Sequence, residues 1–304
     1  MQFLYFLESI RFPLLDEFML LITQLGEETV FLTVALILFW CVDKHKGYFI
    51  LAVGFIGTLA NQFLKLWFRI PRPWVLDSQF TILEQAREAA SGYSFPSGHT
   101  QSAVGTFGGI AATTKNRWVR ILAIIAAVLV PFSRMYIGVH TPLDVFVSAA
   151  IAVFLIVTLR PIILENPQRF LPIIFAIMIL CSVGFLCFLE FYPFPTDIDA
   201  HNLESGHENA YTLFGALLGL VVVYIIDEKW LHFSTKGVWW AQILKVAGGL
   251  IVVLAVKSGL KSPLNLLFGE SVGRAARYFL IVIVAGILWP LTFKFFERLD
   301  PKEK

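Results

Sequence analysis

Charged residues are scarce in this chain: Asp, Glu, Lys and Arg make up 15% of its 304 residues, against 57% hydrophobic ones. A soluble domain carries about a quarter of its residues as charges. A mean hydropathy of +0.74 excludes that class and makes a lipid bilayer the expected solvent. Cysteine is scarce as well. Cys41, Cys181 and Cys187 lie within or at the ends of apolar runs and lack the spacing of a metal site or a disulfide framework, so they read as packing residues. The N-terminus lacks a basic n-region, and no cleavable signal peptide is expected. No domain-sized polar segment, low-complexity tract or Gly-rich linker interrupts the chain. A single membrane domain with short loops is what these absences leave.

What the chain has is apolar runs of the length that crosses a hydrocarbon core, about 20 residues each. Nine are expected, at 26–42, 47–68, 95–113, 118–136, 141–159, 170–189, 210–226, 246–260 and 278–293. The fold class is therefore all-α, a polytopic transmembrane helical bundle. Residues 12–22 read as an amphipathic helix in the interface, because Asp16 and Glu17 interrupt the apolar run. The longest outer loops, 69–94 and 190–209, are lid candidates.

This topology divides the cations unevenly. One side receives 14 Lys and Arg, namely Lys44, Lys46, Lys115, Arg117, Arg120, Arg160, Arg169, Lys229, Lys236, Lys245, Lys294, Arg298, Lys302 and Lys304, against 7 acids. The other receives 10 against 15. The cation-rich side is assigned to the cytoplasm. Lys65, Arg72, Arg134 and Arg69 cluster on the opposite side, which places a chemical site outward.

Three short segments meet at that side. In the first, Lys65-Leu-Trp-Phe-Arg-Ile-Pro-Arg72-Pro73, two prolines end a helix and bring two or three cations to the interface together. Such a group suits a phosphate dianion, although snorkelling anchors would look the same. In the second, Pro96-Ser97-Gly98-His99, a proline suits the first helical turn. The free N–H groups there, the Gly98 backbone and the Ser97 hydroxyl form an anion cradle with His99 on its rim. An ordinary capped helix is the alternative. In the third, Ser133-Arg134 leads to His140 and Asp144, four positions apart across a first helical turn. A carboxylate on Nδ1–H fixes a tautomer and frees Nε2 for attack; a structural His–Asp pair at a cap is the alternative.

Taken together, Lys65-x6-Arg72-Pro73, Pro96-Ser97-Gly98-His99 and Ser133-Arg134-x5-His140-x3-Asp144 resemble the three signature motifs of the type 2 phosphatidic acid phosphatase family. The resemblance implies a six-helix phosphatase core. Residues 1–25 would be an N-terminal interfacial helix, 26–159 the core, and 160–304 additional spans with a short cytoplasmic tail. That extension is similar to longer relatives acting on sphingoid base phosphates, a bacterial elaboration being the alternative. Vanadium haloperoxidases and soluble acid phosphatases share the motifs but lack lipid-embedded spans.

On this resemblance His140 is the nucleophile that becomes phosphohistidine, Asp144 orients it, and His99 is the acid for the leaving group. Lys65, Arg72, Ser97, Gly98 and Arg134 bind the phosphate. Neither a metal nor another cofactor is implied. The outer acids Asp197, Asp199, Glu204 and Glu208, with His201 and His207, could hold a cation but read as a solvated loop.

The expected partner is a lipid phosphate entering from the bilayer, with no nucleic acid. Phosphatidic acid, phosphatidylglycerol phosphate, undecaprenyl diphosphate and sphingoid base phosphates all qualify, and the motifs do not choose among them. The competing reading is a catalytically silent lipid-binding or transport protein on the same bundle. A bacterial plasma membrane with an outward site is the expected location, the endoplasmic reticulum the alternative. Lys257, Lys261, Arg274 and Arg277 violate the charge rule as a second outer basic group. Headgroup binding, helix anchoring and a different topology of the last spans each explain them. Trp residues near span ends are interfacial, and Gly215-x3-Gly219 could let two helices approach closely.

Overall fold

Apolar runs with no charge to solvate can satisfy their backbone groups in lipid only as helix, and the computed structural model is helical accordingly. It describes residues 1–87, 90, 92–297 and 299. Arg298, Lys302 and Lys304 of the charge division lie outside the described residues. The order is α1 (Gln2–Ser9), α2 (Pro13–Gln24), α3 (Glu28–Ile37), α4 (Lys44–Phe68), the single turn α5 (Pro73–Leu76), α6 (Gly98–Ala103) and α7 (Gly109–Thr113). There follow α8 (Arg117–Tyr136), α9 (Pro142–Glu165), α10 (Pro167–Phe191), α11 (Ala200–Ile226), α12 (Trp239–Gly259), α13 (Lys261–Ile283) and α14 (Phe293–Glu297).

Among the described residues seven helices are long and apolar enough to cross a membrane, or eight if α2 and Glu28–Val42, bent by 52°, form one broken span. The run expected at 95–113 is helical from Gly98 to Thr113 in three consecutive pieces of 6, 5 and 5 residues. At 1.5 Å per residue that is about 24 Å, short of the roughly 30 Å of hydrocarbon. Counted with it, the expectation of about nine spans agrees with the structure. The chain is an integral membrane protein. Leu122, Phe146, Phe154 and Leu180 stand well exposed on their helices, as lipid-facing side chains do.

Residues 12–22, expected to lie alone in the interface, form the first limb of the bent pair. Asp16 interrupts that apolar run to accept a hydrogen bond from the Tyr136 hydroxyl at 2.6 Å. Cys181 and Cys187, expected to pack, are exposed on α10 and, like Cys41, free. A thiol behaves as a small hydrophobe, so an apolar solvent accepts it without burial.

The chain forms two compact units. The first is Met1–Val34, Phe49–Ile162 and Phe194–Glu204. In it Met19, Ala86, Ala90, Tyr136, Ile137 and Val139 make one apolar cluster, and Leu4, Phe80 and Ile82 another. These tie the N-terminal helices to loop 69–94. Arg11, which the sequence reading passed over, closes the join by donating Nε–H to Tyr136 O at 3.1 Å and Nη1–H to Thr81 O at 2.9 Å.

The second unit is Ala35–Tyr48, Ile163–Pro193 and Ser205–Lys304. Phe39, Tyr48, Phe175, Tyr224, Phe233 and Phe293 pack edge to face in it, with centroids 5.1 to 5.8 Å apart. Lys44, one of the cations of the cation-rich side, pairs with buried Asp227 at 2.6 Å and lies 3.7 Å from the Phe233 ring centre. Lys245 is fully buried, 4.3 Å from the Phe293 ring centre. Gly215 and Gly219 do admit a close approach: a Cβ at Gly215 would fall 2.0 Å from Ala275 O, and one at Gly219 would fall 2.9 Å from Phe279 O. On that facing helix Arg274 pairs with Glu208 and with Glu270, so it breaks the charge rule as half of an ion pair. Helix α13 is itself broken at Gly269, where φ is +76°.

Candidate active site

The three motif segments converge within the first unit, and local helix chemistry explains how. Helix α8 stops at Tyr136 because Gly138, at φ +88°, takes the left-handed conformation and donates N–H to Met135 O at 3.1 Å. Only glycine enters that conformation without strain. The chain reverses there, and Val139 and His140 both return N–H to Arg134 O, at 3.2 and 3.3 Å. His140 is thereby strapped to the arginine of its own motif.

Helix α9 begins immediately afterwards in a reciprocal capping box. Thr141 N–H donates to Asp144 Oδ2 at 2.8 Å, and Asp144 N–H donates to Thr141 Oγ1 at 3.3 Å, which satisfies donors that open every helix. The Asp144 carboxylate is thus already oriented before it meets the imidazole. Its Oδ2 lies 3.4 Å from His140 Nδ1, a long contact.

Ser94 lies beside that contact. Its hydroxyl donates to Asp144 Oδ2, and its oxygen is 3.4 Å from His140 Nδ1. The sequence reading gave Ser94 no role, since one serine two positions before Pro96 carries no signal of its own. At Nε2 the neighbour is Arg72, whose Nη1–H donates across 3.0 Å. A guanidinium cannot accept, so Nε2 must, and the ring proton belongs on Nδ1. His140 and Asp144 are 2% and 1% exposed. Burial first, then the charges of Arg72, Arg134 and Lys65, holds the imidazole well below its ordinary pKa and keeps it neutral.

The cations are positioned by backbone carbonyls. Lys65 donates Nζ–H to Tyr93 O at 2.7 Å, and Arg72 donates Nε–H to Gly92 O and Nη1–H to Val139 O, both at 2.9 Å. Arg134 is 3% exposed and donates Nη1–H to Thr23 Oγ1 at 2.7 Å, while its Nε is buried without a hydrogen-bond partner. An unsatisfied charged donor in such a place is costly unless a ligand completes it. Arg69 does not join the group. Its guanidinium turns back to Leu66 O at 3.2 Å, so the first motif contributes two cations.

Ser97 caps α6, its Oγ accepting from Thr100 N–H at 3.3 Å and from Thr100 Oγ1–H at 3.0 Å. Gly98 is exposed, and a Cβ built there meets nothing within 4 Å; open space lies before the first N–H groups of the helix. Next in the chain, His99 is pressed by Gly26, whose added Cβ would fall 2.9 Å from His99 O and 3.0 Å from His99 Cβ. The acidic segment expected as a solvated loop is only partly one: Glu204 and Glu208 stand on α11, and Asp199, just before that helix, accepts the Asn202 N–H at 2.8 Å. Among the described residues no three His, Cys, Asp or Glu converge as a metal cage.

The sequence profile of the PAP2 superfamily matches residues 46–168, and that of the PAP2 superfamily phosphatase transmembrane extension matches 211–301. The chain is 33% identical to undecaprenyl-diphosphatase BcrC of Bacillus subtilis over 102 residues, 34% of this chain and 50% of that protein. It is 34% identical to phosphatidylglycerophosphatase B of the same organism over 149 residues, 45% of this chain and 69% of that one. With sphingosine-1-phosphate phosphatase 2 of Homo sapiens it shares 27% over 147 residues, 45% of this chain and 35% of that protein. The chain therefore spans about half the length of the first of these relatives. No solved structure matches it.

Proposed function

The chain belongs to the PAP2 superfamily, and from that premise we propose that it is a membrane phosphatase removing the terminal phosphate of a lipid phosphomonoester or diphosphate. The observation that carries this reading is the meeting of Arg72 Nη1 with His140 Nε2 at 3.0 Å, inside a ring of cations with Asp144 behind the imidazole. A nucleophile and its phosphate clamp share one position.

In this mechanism the phosphate displaces Arg72 from Nε2, taking its Nη1–H on an equatorial oxygen. Lys65, Arg134, the Gly98 N–H and Ser97 hold the others. His140 Nε2 attacks phosphorus in line, the P–O bond to the lipid breaks, and His99 protonates the departing oxygen. The imidazolium that forms keeps its Nδ1–H toward Ser94 and Asp144. Water, deprotonated by His99, then attacks the phosphohistidine, releasing inorganic phosphate and restoring neutral His140. The three cations supply the charge that a metal provides in other phosphatases, so no step is routed through one.

The substrate tail remains in the bilayer, where it costs less than in water. Lipid diphosphates, phosphatidylglycerol phosphate and sphingoid base phosphates, the substrates in the relatives' names, all fit this entry. The distribution of Lys and Arg supports a site on the non-cytoplasmic face, the relatives from Bacillus subtilis favour a bacterial plasma membrane, and the two family matches support a core at 26–159 with 160–304 as its extension.

The test is phosphate release by purified protein in mixed micelles from a panel of these lipids, beside His140→Ala. Release by the wild type with loss of at least a thousandfold in the variant is expected, on the order of what loss of a nucleophile costs. Equal rates would reject the nucleophile. No release from any lipid phosphate would favour a silent lipid-binding protein.

A further inference from the structure

Gly92 and Tyr93 share one peptide group, and both of its polar ends are taken. The Gly92 carbonyl accepts Arg72 Nε–H at 2.9 Å, and the Tyr93 N–H donates to Asn202 Oδ1 at 2.8 Å. Asn202 comes from the first turn of α11, more than a hundred residues along the chain and beyond the three motifs, yet it belongs to the same compact unit as the site. It is 9% exposed.

The Asn202 amide is not free to turn. Asp199 Oδ1 accepts its backbone N–H and its Nδ2–H, each at 2.8 Å, which leaves Oδ1 as the end that faces Tyr93. Asp199 also donates its own N–H to the Tyr93 hydroxyl at 3.3 Å. Gly92 sits at φ +77°, and a Cβ there would fall 2.2 Å from Asn202 Oδ1, so the approach requires glycine. A glycine is a weak pivot for a peptide that must hold one orientation. Something outside the segment has to fix it.

We propose that Asn202 is a positioning residue for the phosphatase reaction, acting through the Gly92–Tyr93 peptide on Arg72 and through Arg72 on His140. The inference rests on the functional reading above. Hydrogen bonds in series polarise one another: Asn202 Oδ1 draws on the Tyr93 N–H, the Gly92 carbonyl becomes a better acceptor, and Arg72 Nε is held more firmly. With Nε fixed, the remaining N–H groups of the guanidinium are aimed at one place. The following carbonyl, Tyr93 O, holds Lys65 Nζ at 2.7 Å, so the same grip orients both cations of the first motif. The chain beyond the motifs thus contributes to the chemistry without touching the substrate.

Asn202→Ala should lower kcat roughly tenfold while KM moves less than about twofold, because a misaimed clamp costs transition-state binding more than ground-state binding. The discriminating measurement is a double-mutant cycle with Arg72→Lys, which has no Nε–H. In that background Asn202→Ala should cost markedly less than it does alone, the remainder being what the same grip exerts through Lys65, whereas a general folding role would multiply the two losses in full. The exchange Asp199→Asn with Asn202→Asp keeps an acceptor facing Tyr93 and should recover most of the rate. Amide hydrogen exchange at Tyr93 should quicken in Asn202→Ala alone. Multiplied losses in the cycle, or unaltered Tyr93 exchange, would overturn the inference while the wild type remained an active phosphatase. A wild type releasing no phosphate from any lipid phosphate would overturn the functional reading and this inference with it.

Discussion

Arg72 donates an Nη1–H to Nε2 of His140 across 3.0 Å, so the atom proposed to attack phosphorus is engaged by the cation proposed to bind phosphate. The contact puts the ring proton on Nδ1 and fixes the orientation of the ring. It also makes phosphate binding and release of the nucleophile a single event, since an incoming oxygen that captures Arg72 uncovers the lone pair.

Arg72→Lys should therefore be far from conservative. Lysine cannot hold Gly92 O, Val139 O and His140 Nε2 at once, as the arginine fork does. Loss of about 3 kcal/mol of transition-state stabilisation, roughly a hundredfold in kcat/KM, is expected. Steady-state kinetics in mixed micelles decide it, and a variant keeping half of the wild-type rate would count against the clamp.

Gly26 is the second test. An alanine there would bring a Cβ to 2.8 Å from Val130 Cγ1 and 2.9 Å from His99 O; the methyl of Val130 can yield, but the carbonyl moves only with His99. Gly26→Ala should lower kcat roughly tenfold or more by displacing the proposed acid, with size-exclusion behaviour unaltered. Full activity in a folded variant would show that His99 does not depend on this contact.

Chelation gives the third. With Lys65, Arg72 and Arg134 supplying the charge, phosphate release should be the same with and without EDTA. A strong loss restored by a divalent ion would mean that the cations are insufficient.

The pair of Lys44 and Asp227 provides a stability prediction independent of catalysis. The Asp227 side chain is 4% exposed and that of Lys44 19%, so Asp227→Asn leaves a largely buried ammonium beside a neutral amide. The cost should be about 3 kcal/mol, read as a lower unfolding midpoint in detergent. Replacing both, by Lys44→Met with Asp227→Leu, should recover much of it. A single variant as stable as the wild type would show that water reaches the pair.

Periodicity and hydropathy made the helices legible, because lipid leaves the backbone no other way to satisfy its polar groups. The candidate site was legible as residue types: Lys65, Arg72, Arg134, His99, His140 and Asp144 stand in three motif segments that the fold brings into one unit. What stayed hidden depends on tertiary contact. Ser94 and Asn202 act through partners 50 and 109 residues away, and neither is an unusual residue where it stands. Whether Arg69 would be a third cation of the first motif was not legible; it stands at a positive φ of 50° and its guanidinium turns back on its own helix. The ion pairs of Lys44 with Asp227 and of Arg274 with Glu208 were not legible either, because a single chain does not announce which carboxylate will meet which cation.

Asp144 opens a helix of 24 residues and stands behind the imidazole with the same carboxylate. For genetics this means that the two properties cannot be varied separately at that position. A substitution found there by its loss of turnover will also report a weakened helix start, and a suppressor that rebuilds the cap at Thr141 can restore protein yield while leaving the reaction silent.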